Sequence, residues 1–91
     1  MIVEWDPVKA ATNRRKHGVD FREAVTTLED PLSMTYPDPQ HSLDERRFIT
    51  IGLSSKGRIL VVAHADRRAA VRIIGARQAT PRERRFYEEG D

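Results

Sequence analysis

Apolar residues fall in short blocks whose spacing changes along the chain, and polar turns divide them. Met1 to Trp5 predicts a short strand. Asp6-Pro7 then offers an N-cap and a first-turn proline, so a helix is expected from Pro7 to about His17. Gly18 suits a left-handed C-cap. Asp20, followed three residues later by Glu23, resembles a capping box for a second helix to about Leu28, whose apolar face is Phe21, Ala24, Val25 and Leu28. On the first helix Val8, Ala11 and the stem of Arg15 are expected to cover the core side. Asp30-Pro31 stops the second helix, and the stretch to Asp44, with three prolines, reads as a long surface loop.

Beyond that loop the period shortens to two. Arg46 to Ser54 and Arg58 to Asp66 predict a hairpin around Ser54-Ser55-Lys56-Gly57, and Ala69 to Gln78 a third strand after Arg67-Arg68. Strict alternation places Val71, Ile73 and Gly75 opposite Arg72, Ile74 and Ala76. Thr80-Pro81 with Glu83 opens a last helix. The predicted order is β-α-α-β-β-β-α, an α+β fold in which helices pack on a three-stranded antiparallel meander.

At 91 residues the chain suits one domain over residues 1–91. Cysteine is absent, which excludes disulfides and thiolate metal sites. No run approaches the ~20 apolar residues of a membrane span, and the first residues lack a leader pattern, so a cytoplasmic protein is expected. The net charge is only +2. Arginine outnumbers lysine, however, and gathers at Arg14-Arg15, Arg46-Arg47, Arg67-Arg68 and Arg82 to Arg85, and its planar fork suits phosphate.

Lys9, Asn13 and Lys16 share one stripe of the first helix with His17 beside them, which fits either phosphate binding or a solvated face. His17 sits at the negative end of the helix dipole, which favours an imidazolium for proton transfer, although capping of free carbonyls is an equal use. His64 reads as a hydrogen-bonded residue at the core edge. The spacing of His17, His41 and His64 matches no metal motif, so neither a metal nor another cofactor is expected. Arg47 opens the meander. Arg72 and Arg77 lie on opposite faces unless a bulge intervenes, and Arg72 needs a carboxylate, for which Glu45 and Glu83 are candidates. Arg77, beside a helix N-terminus, is the better phosphate ligand. Phe86 and Tyr87 serve either to stack on a base or to anchor the last helix to the sheet.

Taken together these residues resemble the BrnT toxin family. The matching pieces are Val3-Glu4-Trp5-Asp6, Lys9, Asn13, Lys16-His17-Gly18-Val19, Phe21, Ala24 and Asp30-Pro31. They continue with Glu45, Arg47-Phe48, Ile51-Gly52, Arg72-Ile73-Ile74, Ala76-Arg77, Glu83-Arg84 and Tyr87. Gly75 stands where the family commonly has serine. The resemblance implies a RelE-like fold, cleavage of RNA that inhibits translation, and neutralisation by a BrnA-like antitoxin that also binds operator DNA. A homodimer or heterotetramer is compatible with it. A metal-free ribonuclease must activate a 2′-hydroxyl, stabilise charge on the phosphate and protonate the departing 5′-oxygen. Lys16, His17, Arg47 and Arg77 are the candidate catalytic residues, and Lys9, Asn13 and Arg72 the candidate substrate contacts. Glu45 is a candidate base or a partner that orients Arg47. The same arginines would equally serve a nucleic-acid-binding module without catalysis or a protein-interaction domain.

Overall fold

The computed structural model describes residues 1–90. Strand β1 (Ile2–Glu4) leads into helices α1 (Pro7–His17) and α2 (Phe21–Leu28). Four strands follow, β2 (Met34–Pro37), β3 (Arg47–Leu53), β4 (Ile59–Arg67) and β5 (Ala70–Gln78), and helix α3 (Pro81–Glu89) ends the described chain. The strands form one sheet in the order β1-β5-β4-β3-β2, antiparallel throughout except for β1, which runs parallel to β5. The α+β class stands, but the sheet has five strands where a three-stranded meander was expected. The expected long loop contains β2, whose four residues pair with Phe48 to Ile51. Its prolines hid it: Pro37 lies in an edge strand, where a missing N–H disrupts no interior ladder.

The caps behave as their residue types require. Asp6 accepts from Val8 N at 2.9 Å, and Gly18 ends α1 at φ 68°, a conformation that costs glycine little. Thr80 and Glu83 form a reciprocal capping box on α3. Asp20 caps α2 alone. Glu23 is not its capping partner, because its buried carboxylate points at the sheet, accepting from Ser54 Oγ at 2.7 Å and from Arg58 Nε at 3.0 Å.

Helices α1 and α2 cover one face of the sheet, where Val19, Phe21 and Ala24 pack on Leu60, Val62, Ile73 and Ala76. The end of α2 lies so close to β3 that a Cβ on Gly52 would stand 2.9 Å from Ser33 Cβ and 3.0 Å from Thr27 O, so only glycine fits there. The expectation for α1 is corrected: Val8, Ala11 and Arg15 are exposed, and Ala10 and Asn13 face inward. Helix α3 covers part of the other face, with Tyr87 against Ile51, Val61 and Ala79 and Phe86 edge-on to Tyr36. The Tyr87 hydroxyl donates to Asp30 Oδ2 at 2.6 Å, and burial together with that carboxylate pushes its pKa up to about 12. Both aromatics of α3 are therefore anchors.

Strict alternation fails in β5. Ala63 pairs with Gly75 but His64 pairs with Ile73, which leaves Ile74 as the extra residue of a β-bulge. Ile73 and Ala76, three apart, consequently share the helix-covered face. Arg72, Gly75 and Arg77 all turn to the opposite face.

His64 is buried beside Phe48, with Nε2 2.7 Å from Thr50 Oγ1, which is itself 2.7 Å from Thr35 Oγ1. Its Nδ1 is buried and has no partner among the described residues, so we assign the proton to Nε2, which donates to Thr50.

Two measurements test this account. Truncating Arg58 to alanine leaves the Glu23 carboxylate buried and unpaired, and is expected to cost about 3 kcal/mol in urea denaturation. Adding Glu23→Gln to that variant should recover part of the loss. Burial lowers the His64 pKa from 6.5, against a smaller opposing effect of Asp66. The unfolded chain therefore binds this proton more readily than the folded one, and stability falls as pH drops below about 6.5. That dependence should flatten in His64→Gln when thermal unfolding is followed between pH 7 and pH 5.

Candidate active site

The side chain of Asn13 organises the site. Strand β1 pairs with β5 only at Ala70 to Arg72, so the backbone of Ala76 has no strand neighbour on that edge. Asn13 takes the vacant place: Oδ1 accepts from Ala76 N at 3.0 Å, and Nδ2 donates to Ala76 O at 2.9 Å and to Val19 O at 3.0 Å. The residue is 8% exposed and its amide bonds are made inside the protein. Expected as a substrate contact, Asn13 is in the structure a clamp between α1, the turn after it and the bulged strand.

The clamp sets His17 at the rim of the sheet face that α3 only partly covers, where two open hollows adjoin. The first, about 270 Å³, lies along α1 and is lined by Lys9, Lys16, His17 and Ile74 among others. The second, about 220 Å³, has Gly75 and Ala63 in its floor, Ile49 and Val61 in its walls and Arg77 at its side. Asn13 and His17 line both. Neither lining contains a carboxylate, and among the described residues Lys9 and Lys16 form no ion pair. His17 is exposed.

The candidate arginines of this face differ from the lysines in being matched with acids. Arg77 lays its fork on Glu83, with Nη1 to Oε1 at 2.7 Å and Nη2 to Oε2 at 3.0 Å. This bidentate contact outweighs burial and holds the Glu83 pKa at about 2. Arg72 pairs with Glu4 at 2.9 Å, and not with Glu45 or Glu83 as anticipated. Arg67 lies 3.8 Å from Glu4 and 3.6 Å from Glu45, and Arg47 3.6 Å from Glu45, giving a run of three arginines and two glutamates across one end of the face. Such partly exposed pairs are individually weak. Arg47 Nε is buried without a partner among the described residues.

Lys9, Lys16, His17 and Arg77 are thus brought together. Arg47 and Arg72 share their face, because Arg47 pairs with Ala65 and Ala65 with Arg72, yet they line neither hollow. His64 is in the core and His41 pairs with Asp38 at 2.9 Å in the loop after β2. Among the described residues no three His, Cys, Asp or Glu side chains gather as metal ligands. Ile74, Gly75 and Ala63 also line the hollows and were not among the expected site residues. A glycine inside a strand pattern is a recognised sign of a bulge, and Gly75 was that sign.

Comparison with known proteins identifies the family of the chain. A family model described as the ribonuclease toxin, BrnT, of type II toxin-antitoxin systems matches residues 5–83. That places the chain in the class of toxin-antitoxin ribonucleases, whose members have an RNA substrate and an antitoxin partner. The chain belongs to the BrnT family. It is similar to the 1.1 Å crystal structure of the Brucella abortus ribonuclease toxin, BrnT, with a TM-score of 0.70 and 28% identity, covering 88% of this chain and 97% of that one. No curated protein sequence matches it. No helix among the described residues is long and apolar enough to cross a membrane.

The clamp can be checked directly. Asn13→Ala strands the Ala76 N–H and two carbonyls, and should cost about 3 kcal/mol in chemical denaturation. Asn13→Asp, which keeps the acceptor for Ala76 N but loses both donors, should also destabilise. A variant as stable as wild type would show that α1 is held by other contacts.

Proposed function

We propose that the chain is an endoribonuclease that cleaves RNA without a metal cofactor at the junction of the two hollows, with His17 as the proton-transfer residue. The observation that carries this reading is the meeting of His17 with Lys16 and Arg77 around a surface with no carboxylate in its lining. A ribose 2′-oxygen loses its proton to water and forms a bond to phosphorus. The bond from phosphorus to the 5′-oxygen breaks, and protonated His17 supplies the proton to that oxygen. The products are a 2′,3′-cyclic phosphate and a 5′-hydroxyl. Lys16 and Arg77 stabilise the charge that builds on the phosphate oxygens, and Lys9 holds a flanking phosphate. Arg77 is positioned for this by Glu83. Arg47 and Arg72 extend the positive rim across the face and are not assigned a catalytic step.

Cleavage of messenger RNA in the cytoplasm inhibits translation. A BrnA-like antitoxin neutralises the toxin by covering the groove and placing its own carboxylates where RNA phosphates would lie, and operator DNA is reached through that complex.

Purified wild-type protein is expected to cleave single-stranded RNA in the presence of chelator. His17→Ala should reduce the rate by about a hundredfold or more, and Lys16→Ala and Arg77→Ala by about tenfold to a hundredfold, with circular dichroism unchanged. Wild-type cleavage by folded His17→Ala would remove His17 from the mechanism. Binding of RNA without cleavage by wild type, with or without ribosomes, would leave a binding module in place of an enzyme.

A further inference from the structure

The second hollow has a character that phosphate binding leaves unexplained. Its floor is made of small residues, Gly75 and Ala63, paired across β5 and β4, and its walls are the aliphatic side chains of Ile49 and Val61. Arg77 brings the guanidinium at its side. A recess of this kind suits an apolar, flat group and offers an anion little beyond that edge. It adjoins the lysine-lined hollow along Asn13 and His17. A phosphate at His17 would therefore have lysines on one side and an apolar recess on the other.

Resting on the ribonuclease reading above, we infer that the Gly75–Ala63 hollow is a base subsite, which receives one unstacked nucleobase next to the scissile phosphate while Lys9 and Lys16 hold the backbone beyond it. A base in a duplex has both faces covered by its neighbours and cannot enter such a recess, whereas a single strand can turn one base out at small cost. The substrate class is therefore single-stranded RNA. The aliphatic walls contact the face of the base and read no particular base, while Arg77 stays with the phosphate.

The fold does not need this space to stay empty. Gly75 has no positive φ, and a Cβ built on it would meet only Asn13 Oδ1, at an ordinary 3.6 Å. A Cβ here carries no backbone penalty and points into the hollow beside Asn13, so the folding and stability of each variant are measured alongside its cleavage.

The test uses Gly75→Val and, from the neighbouring strand, Ala63→Val, each checked for folding by circular dichroism. Their substrates are a single-stranded RNA with a mapped cleavage site and the same strand carrying one abasic ribose on either side of that site in turn. For wild type, kcat/KM should fall by about tenfold or more when one particular neighbouring base is removed. Both valine variants should lose a similar factor on intact RNA and lose little further on that abasic strand. If folded variants cleave intact RNA as wild type does, or if neither abasic substitution slows wild type, the subsite is wrong while the ribonuclease mechanism stands. If wild type cleaves no RNA, the mechanism fails first and the subsite fails with it.

Discussion

The amide of Asn13 stands where β1 would have to continue to complete the sheet edge. Strand β1 is too short to accompany β5 along its length, and one side chain completes the edge by bonding both backbone groups of Ala76. The third bond, to Val19 O, ties down the turn that leaves α1. Three consequences come from this single residue. The helix is held against the strand, the bulge at Ile74 is fixed beside it, and His17, one turn further along α1, is delivered to the rim of the partly covered face. A buried amide with its donors and acceptor satisfied is rigid because every alternative orientation strands a polar group.

The partly covered face separates two kinds of positive charge. Arg47, Arg67, Arg72 and Arg77 are each near a glutamate, and their charge is mostly balanced within the protein. Lys9 and Lys16 have no such partner among the described residues. Positive charge that no acid balances therefore lies at Lys9 and Lys16 along α1, next to His17. The glutamates orient the arginine forks, and any anion must compete with them to bind there. Affinity at the lysines should depend on salt more simply than affinity at the arginines.

Much of the architecture was legible along the chain because it depends on local chemistry. The ends of α1, the left-handed Gly18, the capping box of Thr80 and Glu83, and the hairpin around Gly57 all follow from residues within one turn of each other. Strand β2 was hidden by its prolines and its brevity, and β1 could not be placed because its partner lies almost seventy residues away. Glu23 looked like a capping residue for the same reason. Its spacing fits a local role, and only the arrival of Ser54 and Arg58 draws it into the core.

The sequence by itself determined the α+β class, most element boundaries and the candidate residues from which the site is drawn, since these rest on periodicity, caps and residue chemistry, while the family was carried by resemblance. The tertiary structure decided which of those residues meet. One inserted residue at Ile74 reverses the parity of β5 and turns Arg72 and Arg77 to the same side. No alternation rule can foresee that, and the strand beside the bulge is bonded to Asn13, sixty-three residues earlier in the chain. The same long-range contact turned Asn13 from an apparent ligand into the clamp that assembles the site.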